Sequence, residues 1–161
     1  MPETRELSPV DLKILALLQE DASLTAAEIA EQVSLSPSPC WRRIQRMDKE
    51  GYIEKRVALL NGERLGLGVV IFASISLSAN DEQSLENFEA EIQQFPEVVE
   101  CYTVTGTMDY FLKIITRDIR GYEAFLRQRL LQVPLIRELH SNVAVTKIKF
   151  TTSLPLATQL D

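Results

Sequence analysis

The sequence predicts an α+β fold in two parts: a three-helix, winged helix-turn-helix domain, then a ferredoxin-like βαββαβ domain. Three observations predict it. Three apolar-periodic segments, each opened by a capping residue, fall before Gly51, and the last two are separated by a brief turn. After Val69, Val/Ile-rich runs alternate with helical patterns. The second part also carries an echo: Gln94-Phe95-Pro96 and Gln132-Val133-Pro134 stand 38 residues apart, and Glu100 matches Glu138 at the same offset.

Ser8-Pro9-Val10-Asp11 opens the first helix. Ser8 suits the N-cap, Pro9 the first helical position and Asp11 the positive helix end. Leu12, Ile14, Leu15, Leu17 and Leu18 then form a broad apolar face. Thr25-Ala26-Ala27-Glu28 is a capping box for a short helix through Val33, with Ala26, Ile29, Ala30 and Val33 inward. Ser34-Leu35 makes the turn. Ser36 caps the third helix, and Pro37 and Pro39 fall in its first turn, where a missing N–H costs little. This helix runs to about Glu50 and stops at Gly51. Tyr52 to Leu60 reads as extended, either a small wing or a strand that pairs elsewhere. Asn61 to Gly66 is a polar hinge with a short helical turn. The expected division is 1–60 for the first domain, 61–68 for the hinge and 69–161 for the second domain.

In the second domain, Val69 to Leu77 is a strand. Asn80 caps the following helix, with Gln83 at the capping-box position and Leu85, Phe88, Ile92 and Phe95 on one face; Pro96 ends it. Val98 to Thr105 and Tyr110 to Thr116 are strands joined by a tight turn over Gly106 to Asp109. Asp118 caps a helix carrying Tyr122, Phe125, Leu126 and Leu130. Pro134 closes it, and Leu135 to Phe150 holds the last strand. Ile71-Phe72-Ala73 and Tyr110-Phe111-Leu112 are apolar at consecutive positions, which implies a sheet covered on both faces. Two helices cover one face. A second copy of the same sheet is the simplest cover for the other, which points to a homodimer at least.

The composition is that of an ordinary globular chain, with 45% apolar and 25% charged residues. No apolar run approaches the roughly 20 residues of a membrane-spanning helix, and Met1 to Glu6 lacks a signal-peptide core. A cytoplasmic protein with no membrane partner is therefore expected. Cys40, Cys101 and His140 are too few and too scattered for a disulfide framework or a metal site. No nucleophile–base pair or phosphate-cradling Gly-rich loop stands out, so neither catalysis nor a resident cofactor is expected.

The net charge is −6, which disfavours non-specific coating of nucleic acid. Yet Arg42 to Arg56 holds six cations against three acids, a local net of +3. On the third helix Ser38, Arg42, Gln45, Arg46 and Lys49 fall at i, i+4, i+7, i+8 and i+11, one stripe without an acid. Cys40 or Trp41, with Ile44 and Met47, supplies the inward stripe. Arg pairs bidentately with guanine and Gln with adenine, while Lys or Ser holds phosphate. The stripe suits the major groove of double-stranded DNA; a solvated helix surface is the plainer alternative. The expected DNA-contacting set is Ser36, Ser38, Trp41, Arg42, Arg43, Gln45, Arg46 and Lys49. Arg43 lies off the stripe and suits a backbone phosphate. Trp41 has two readings, helix packing and DNA-backbone contact. Lys55 and Arg56 are flanking phosphate contacts or solvated charges. Cys40 reads as a packing residue.

Leu35-Ser36-Pro37-Ser38-Pro39-Cys40-Trp41-Arg42-Arg43-Ile44 resembles the recognition-helix signature of the leucine-responsive regulator/AsnC family. Asp11 to Leu15, Leu65-Gly66-Leu67-Gly68, Val104-Thr105-Gly106, Asp109-Tyr110 and Thr151 to Leu156 resemble further parts of it in the same order. The resemblance implies a bacterial or archaeal, nucleoid-associated transcriptional regulator that binds DNA as a dimer and joins into octamers or other assemblies. It also implies an amino-acid effector held between subunits by the loop matching Gly106, Thr107, Met108, Asp109 and Tyr110. His140 and Asn142, opening the last strand, are assigned to the same cleft, with a structural role as the alternative for His140. Many members carry an acidic or small polar residue where Thr107 stands. Gly106 permits close backbone approach, and Asp109 can accept from an ammonium group. An ordinary hairpin turn is the alternative for this loop. For the whole chain, the alternative is an effector-independent architectural protein that assembles on DNA.

Overall fold

Each helix of the N-terminal unit begins where the sequence offers its unpaired N–H groups an acceptor. The computed structural model describes residues 6–79 and 81–156. Helix α1 (Pro9–Glu20) opens on a reciprocal capping box between Ser8 and Asp11. Helix α2 (Ala26–Gln32) opens on the same device between Thr25 and Glu28. Helix α3 (Pro37–Lys49) has Ser36 as its N-cap residue, but the Ser36 side chain makes no capping hydrogen bond. The usual donor is missing, because the third helical position is Pro39, which has no N–H. Between α2 and α3 the chain reverses through Ser34, which adopts φ +56°. Helix α3 ends in a Schellman turn. Gly51 takes φ +81°, the Tyr52 amide donates to the Met47 carbonyl at 3.0 Å, and the Gly51 amide donates to that of Asp48 at 3.1 Å.

The three helices close on Ile14, Ile29, Ala30, Cys40, Ile44 and Met47. Residues 53–60 form neither helix nor ladder. Residues 149–156 belong to this same unit, which is therefore built from two stretches of the chain far apart in sequence. Gln19 on α1 holds the tail. Its side-chain amide donates to the Leu154 carbonyl at 3.1 Å and accepts from the Leu154 amide at 2.9 Å.

Leu60–Ile148 forms the other unit. It runs β1 (Val69–Leu77), α4 (Glu82–Ile92), β2 (Val98–Thr103), β3 (Tyr110–Thr116), α5 (Ile119–Gln128), a short 3₁₀ turn (Leu130–Gln132) and β4 (Ile136–Val143). The sheet order is β2-β3-β1-β4, with every neighbouring pair antiparallel, as a ferredoxin-like βαββαβ chain requires.

Two expectations shift. The expected cap Asn80 lies outside the described residues; the observed N-cap of α4 is Asp81, which accepts from the Ser84 amide at 3.1 Å. Gln83 is therefore not the capping-box partner, and its side chain donates to Asn87 instead. The last strand, expected to reach Phe150, ends at Val143. Val143 stands opposite Ile71, and β1 begins only two residues earlier at Val69. Past Val143 the Ala144 amide still donates to the Val70 carbonyl at 2.9 Å, and β1 then runs out at Val69.

The core of this unit is the helix-facing side of the sheet. Ile71, Ala73, Ile75 and Leu77 of β1 and Tyr110, Leu112 and Ile114 of β3 bury against Phe88, Ile92, Phe95, Tyr122 and Phe125. Strand alternation turns Val70, Phe72, Phe111, Lys113 and Ile115 to the opposite face. There the Phe72 and Phe111 rings stack with centroids 5.6 Å apart, and Lys113 pairs with Glu100 at 2.5 Å. Arg129 closes the end of α5 by pairing with Glu97 at 2.9 Å and lying 4.6 Å over the Phe95 ring.

Replacing Gln19 with Ala is expected to release the tail. Amide exchange at Leu154 should rise while exchange in α3 stays unchanged, as hydrogen–deuterium exchange would show.

Candidate nucleic-acid interface and effector loop

Helix α3 is set on its bed by Cys40, Ile44 and Met47, all buried, at i, i+4 and i+7. Those three fill the seam against α1 and α2. Trp41 lies one residue, about 100° of helix, beyond Cys40. It is 54% exposed, so the packing reading of Trp41 is corrected. The outward stripe is Ser38, Trp41, Arg42, Gln45 and Lys49, all exposed.

Arg46, expected on that stripe, turns inward. Its guanidinium lies 2.9 Å from Asp11 Oδ2 and 3.7 Å from Glu50. The contact to Asp11 is an ion pair rather than an aligned hydrogen bond. Arg43 donates to Asp11 Oδ1 at 2.9 Å and to the Ser8 hydroxyl at 3.2 Å. The Asp11 side chain is only 1% exposed. Burial pushes its carboxyl up, but hydrogen bonds from the Ser8 hydroxyl and amide and from Arg43, with the Arg46 guanidinium paired alongside, outweigh burial and hold its pKa at about 2. The sequence reading gave Asp11 only as an acid suited to the positive helix end and missed both its reciprocal bond with Ser8 and this latch. The Ser-x-x-Asp spacing was legible, whereas a partner 32 residues away left no local signal.

Around the latch lies a cleft of about 510 Å³ lined by Glu6, Ser8, Pro39, Arg42 and the three latch residues. Ser36 is exposed at the entrance of α3. Arg56 pairs with Asp48 at 3.0 Å, and Lys55 is exposed.

The loop expected to meet an effector, residues 104–109, joins β2 to β3. Gly106 adopts φ +124°, a conformation that side chains disfavour. Gly106 and Thr107 are exposed and Met108 is half-buried. Asp109 is committed to the fold. Its carboxylate accepts from the Leu77 amide at 2.7 Å, its amide donates to the Ile75 carbonyl at 2.8 Å, and its carbonyl accepts from the Val104 amide at 3.0 Å. The loop is therefore pinned to the end of β1. Tyr110 is 1% exposed in the helix-facing core, and its hydroxyl donates to Glu89 at 2.8 Å. Burial first, and then that carboxylate, pushes the Tyr110 phenol up to about 12. His140 and Asn142 are exposed on β4, opposite Ser74 and Phe72 of β1. His140 contacts Glu138 at 2.8 Å. Since β1 separates β3 from β4, the loop and His140 lie on strands about 10 Å apart.

Known proteins share this arrangement. A model of the Lrp/AsnC ligand binding domain matches residues 70–154, and one of a winged helix-turn-helix DNA-binding domain matches residues 7–54. The chain is 34% identical over 150 residues to the DNA-binding transcriptional activator DecR of Escherichia coli (strain K12), covering 93% of this chain and 99% of that protein. Its fold is similar to an AsnC family transcriptional regulator from Agrobacterium tumefaciens, with a TM-score of 0.90, 41% identity and coverage of 94% and 99% of the two chains. It is equally similar to a transcriptional regulator from Neisseria meningitidis solved as an L-Met complex, with a TM-score of 0.91, 36% identity and coverage of 96% and 99%.

The latch gives the first unit an acid sensitivity of definite sign. The folded pKa of Asp11 lies below its ordinary value of 3.8. Its contribution is therefore present above about pH 4 and is lost as the pH falls toward 2. The loss is roughly 2 kcal/mol, measurable by urea unfolding across that range. Asp11→Asn is expected to flatten this part of the profile and lower stability at neutral pH.

Proposed function

The chain belongs to the Lrp/AsnC family of transcriptional regulators, and on that premise we propose how its residues divide the work. It is a sequence-specific DNA-binding regulator. In our reading, the unit up to Leu59 places α3 in the major groove. Arg42 and Gln45 meet base edges, Trp41 lies beside Gln45 at the edge of the stripe, and Ser36, Ser38 and Lys49 hold flanking phosphates. Arg43 and Arg46 serve as braces through Asp11, with Arg43, 36% exposed, also near a phosphate. The observation that carries this reading is the exposed stripe beside a compensated pair of arginines.

The effector in this reading is an amino acid, held by Gly106, Thr107 and Met108 of one copy against another copy. His140 and Asn142 line the same cleft. The Neisseria regulator's complex with L-Met supports an amino acid of that type. Asp109 and Tyr110 shape the loop from behind. Self-association through the sheet face bearing Phe72 and Phe111 supplies the second copy. Larger assemblies of dimers, on the nucleoid in the cytoplasm, complete the reading.

Arg42→Ala is expected to weaken binding to a selected operator duplex by about 1–3 kcal/mol. Fluorescence anisotropy measures it, and unchanged affinity removes Arg42 from the reader. For the sensor, isothermal titration begins with L-methionine and continues through the other common amino acids. Heat is expected with at least one, and Thr107→Lys, a change at an exposed position, should abolish it. No heat with any amino acid overturns the sensor role. Phe111→Glu is expected to convert the dimer to monomer in sedimentation, and an intact dimer excludes that face.

A further inference from the structure

We propose that Trp41 is a specificity-determining residue that reads the 5-methyl group of thymine in the major groove. The inference rests on the placement of α3 in that groove and adds a chemical target to it. Trp41 is the chain's single tryptophan. It stands 54% exposed on a helix stripe whose other members, Ser38, Arg42, Gln45 and Lys49, all carry hydrogen-bonding groups. Covering such a ring when the helix docks removes apolar surface from water and favours binding. The seam beneath α3 is already filled by Cys40, Ile44 and Met47, so the ring faces outward. The groove floor offers donors, acceptors and one apolar feature, the thymine methyl.

Position fits the same target. Trp41 is the fifth residue of α3, in the N-terminal half that meets base edges in a docked recognition helix. Gln45 follows at i+4 on the same face, about 6 Å along the axis. Gln pairs with adenine, whose partner is thymine. Trp41 and Gln45 together therefore favour a step built of A·T pairs.

The test uses the full-length protein and a duplex that it selects from a randomised pool. Each thymine of that duplex is replaced in turn by deoxyuridine, which removes only the methyl. Burying one methyl corresponds to about a fourfold change in affinity. Wild-type protein is expected to lose about that factor at one or two positions. Trp41→Ala is expected to bind the thymine and uracil duplexes equally while keeping its helical circular dichroism. The tryptophan emission of the wild type should also shift to the blue and resist acrylamide quenching on the duplex. Equal binding of both duplexes by the wild type overturns the proposal, as does a uracil penalty that persists in Trp41→Ala. Protection from quencher without a uracil penalty overturns it too, in favour of a sugar–phosphate contact. Selection that returns no preferred sequence sinks the placement of α3 itself, which is a distinct result.

Discussion

The buried carboxylate of Asp11 is the constraint on which the reader unit turns. A charge removed from water must be neutralised where it lies, or it unfolds its surroundings. Helix α1 supplies part of the answer through the Ser8 cap, and α3 supplies the rest through two arginines. Because Arg43 and Arg46 are one helical turn apart on α3, satisfying Asp11 fixes the rotation of that helix about its axis. Arg42, Gln45 and Lys49 then have one direction to face, away from α1. Removing a single partner from such a cluster costs more than the cluster contributes net, since the remaining charge stays buried. The latch therefore acts on orientation more than on stability.

A comparable division holds in the second unit. Asp109 and Tyr110, the polar residues of the loop that sequence makes most conspicuous, are both occupied by the fold. What stays accessible is Gly106, Thr107 and half of Met108. The loop is thus a rigid frame with a small exposed tip. A change of side chain at Thr107 alters what the tip meets without disturbing the frame.

Much of the architecture was legible because it is written locally. The Ser8/Asp11 and Thr25/Glu28 boxes, Gly51 and the strand alternation of Val69–Leu77 each depend on neighbours within a few residues. The features that differ from expectation depend on distance. Asn80 and Asp81 are equally good caps on paper, and the choice rests on where the helix starts after a strand. The end of β4 was set by the length of β1, which no reading of residues 135–150 alone contains. On α3 the helical period correctly grouped the inward residues. It could not say that a tryptophan would face water and an arginine would face α1, because that follows from a carboxylate 35 residues upstream of Arg46. The family resemblance located the reader helix and the loop, but it did not tell frame residues from tip residues.

The Gln19–Leu154 clamp joins positions 135 residues apart. A ribosome adds roughly 5–20 residues per second, so on the order of ten seconds separates the emergence of the two partners. Through that interval α1, α2 and α3 can close on their own core, since their contacts are local and fast to form. The slot on α1 stays open until the second unit has been made. Completion of the DNA-facing unit thus waits for, and reports, the translation of everything between Gln19 and Leu154.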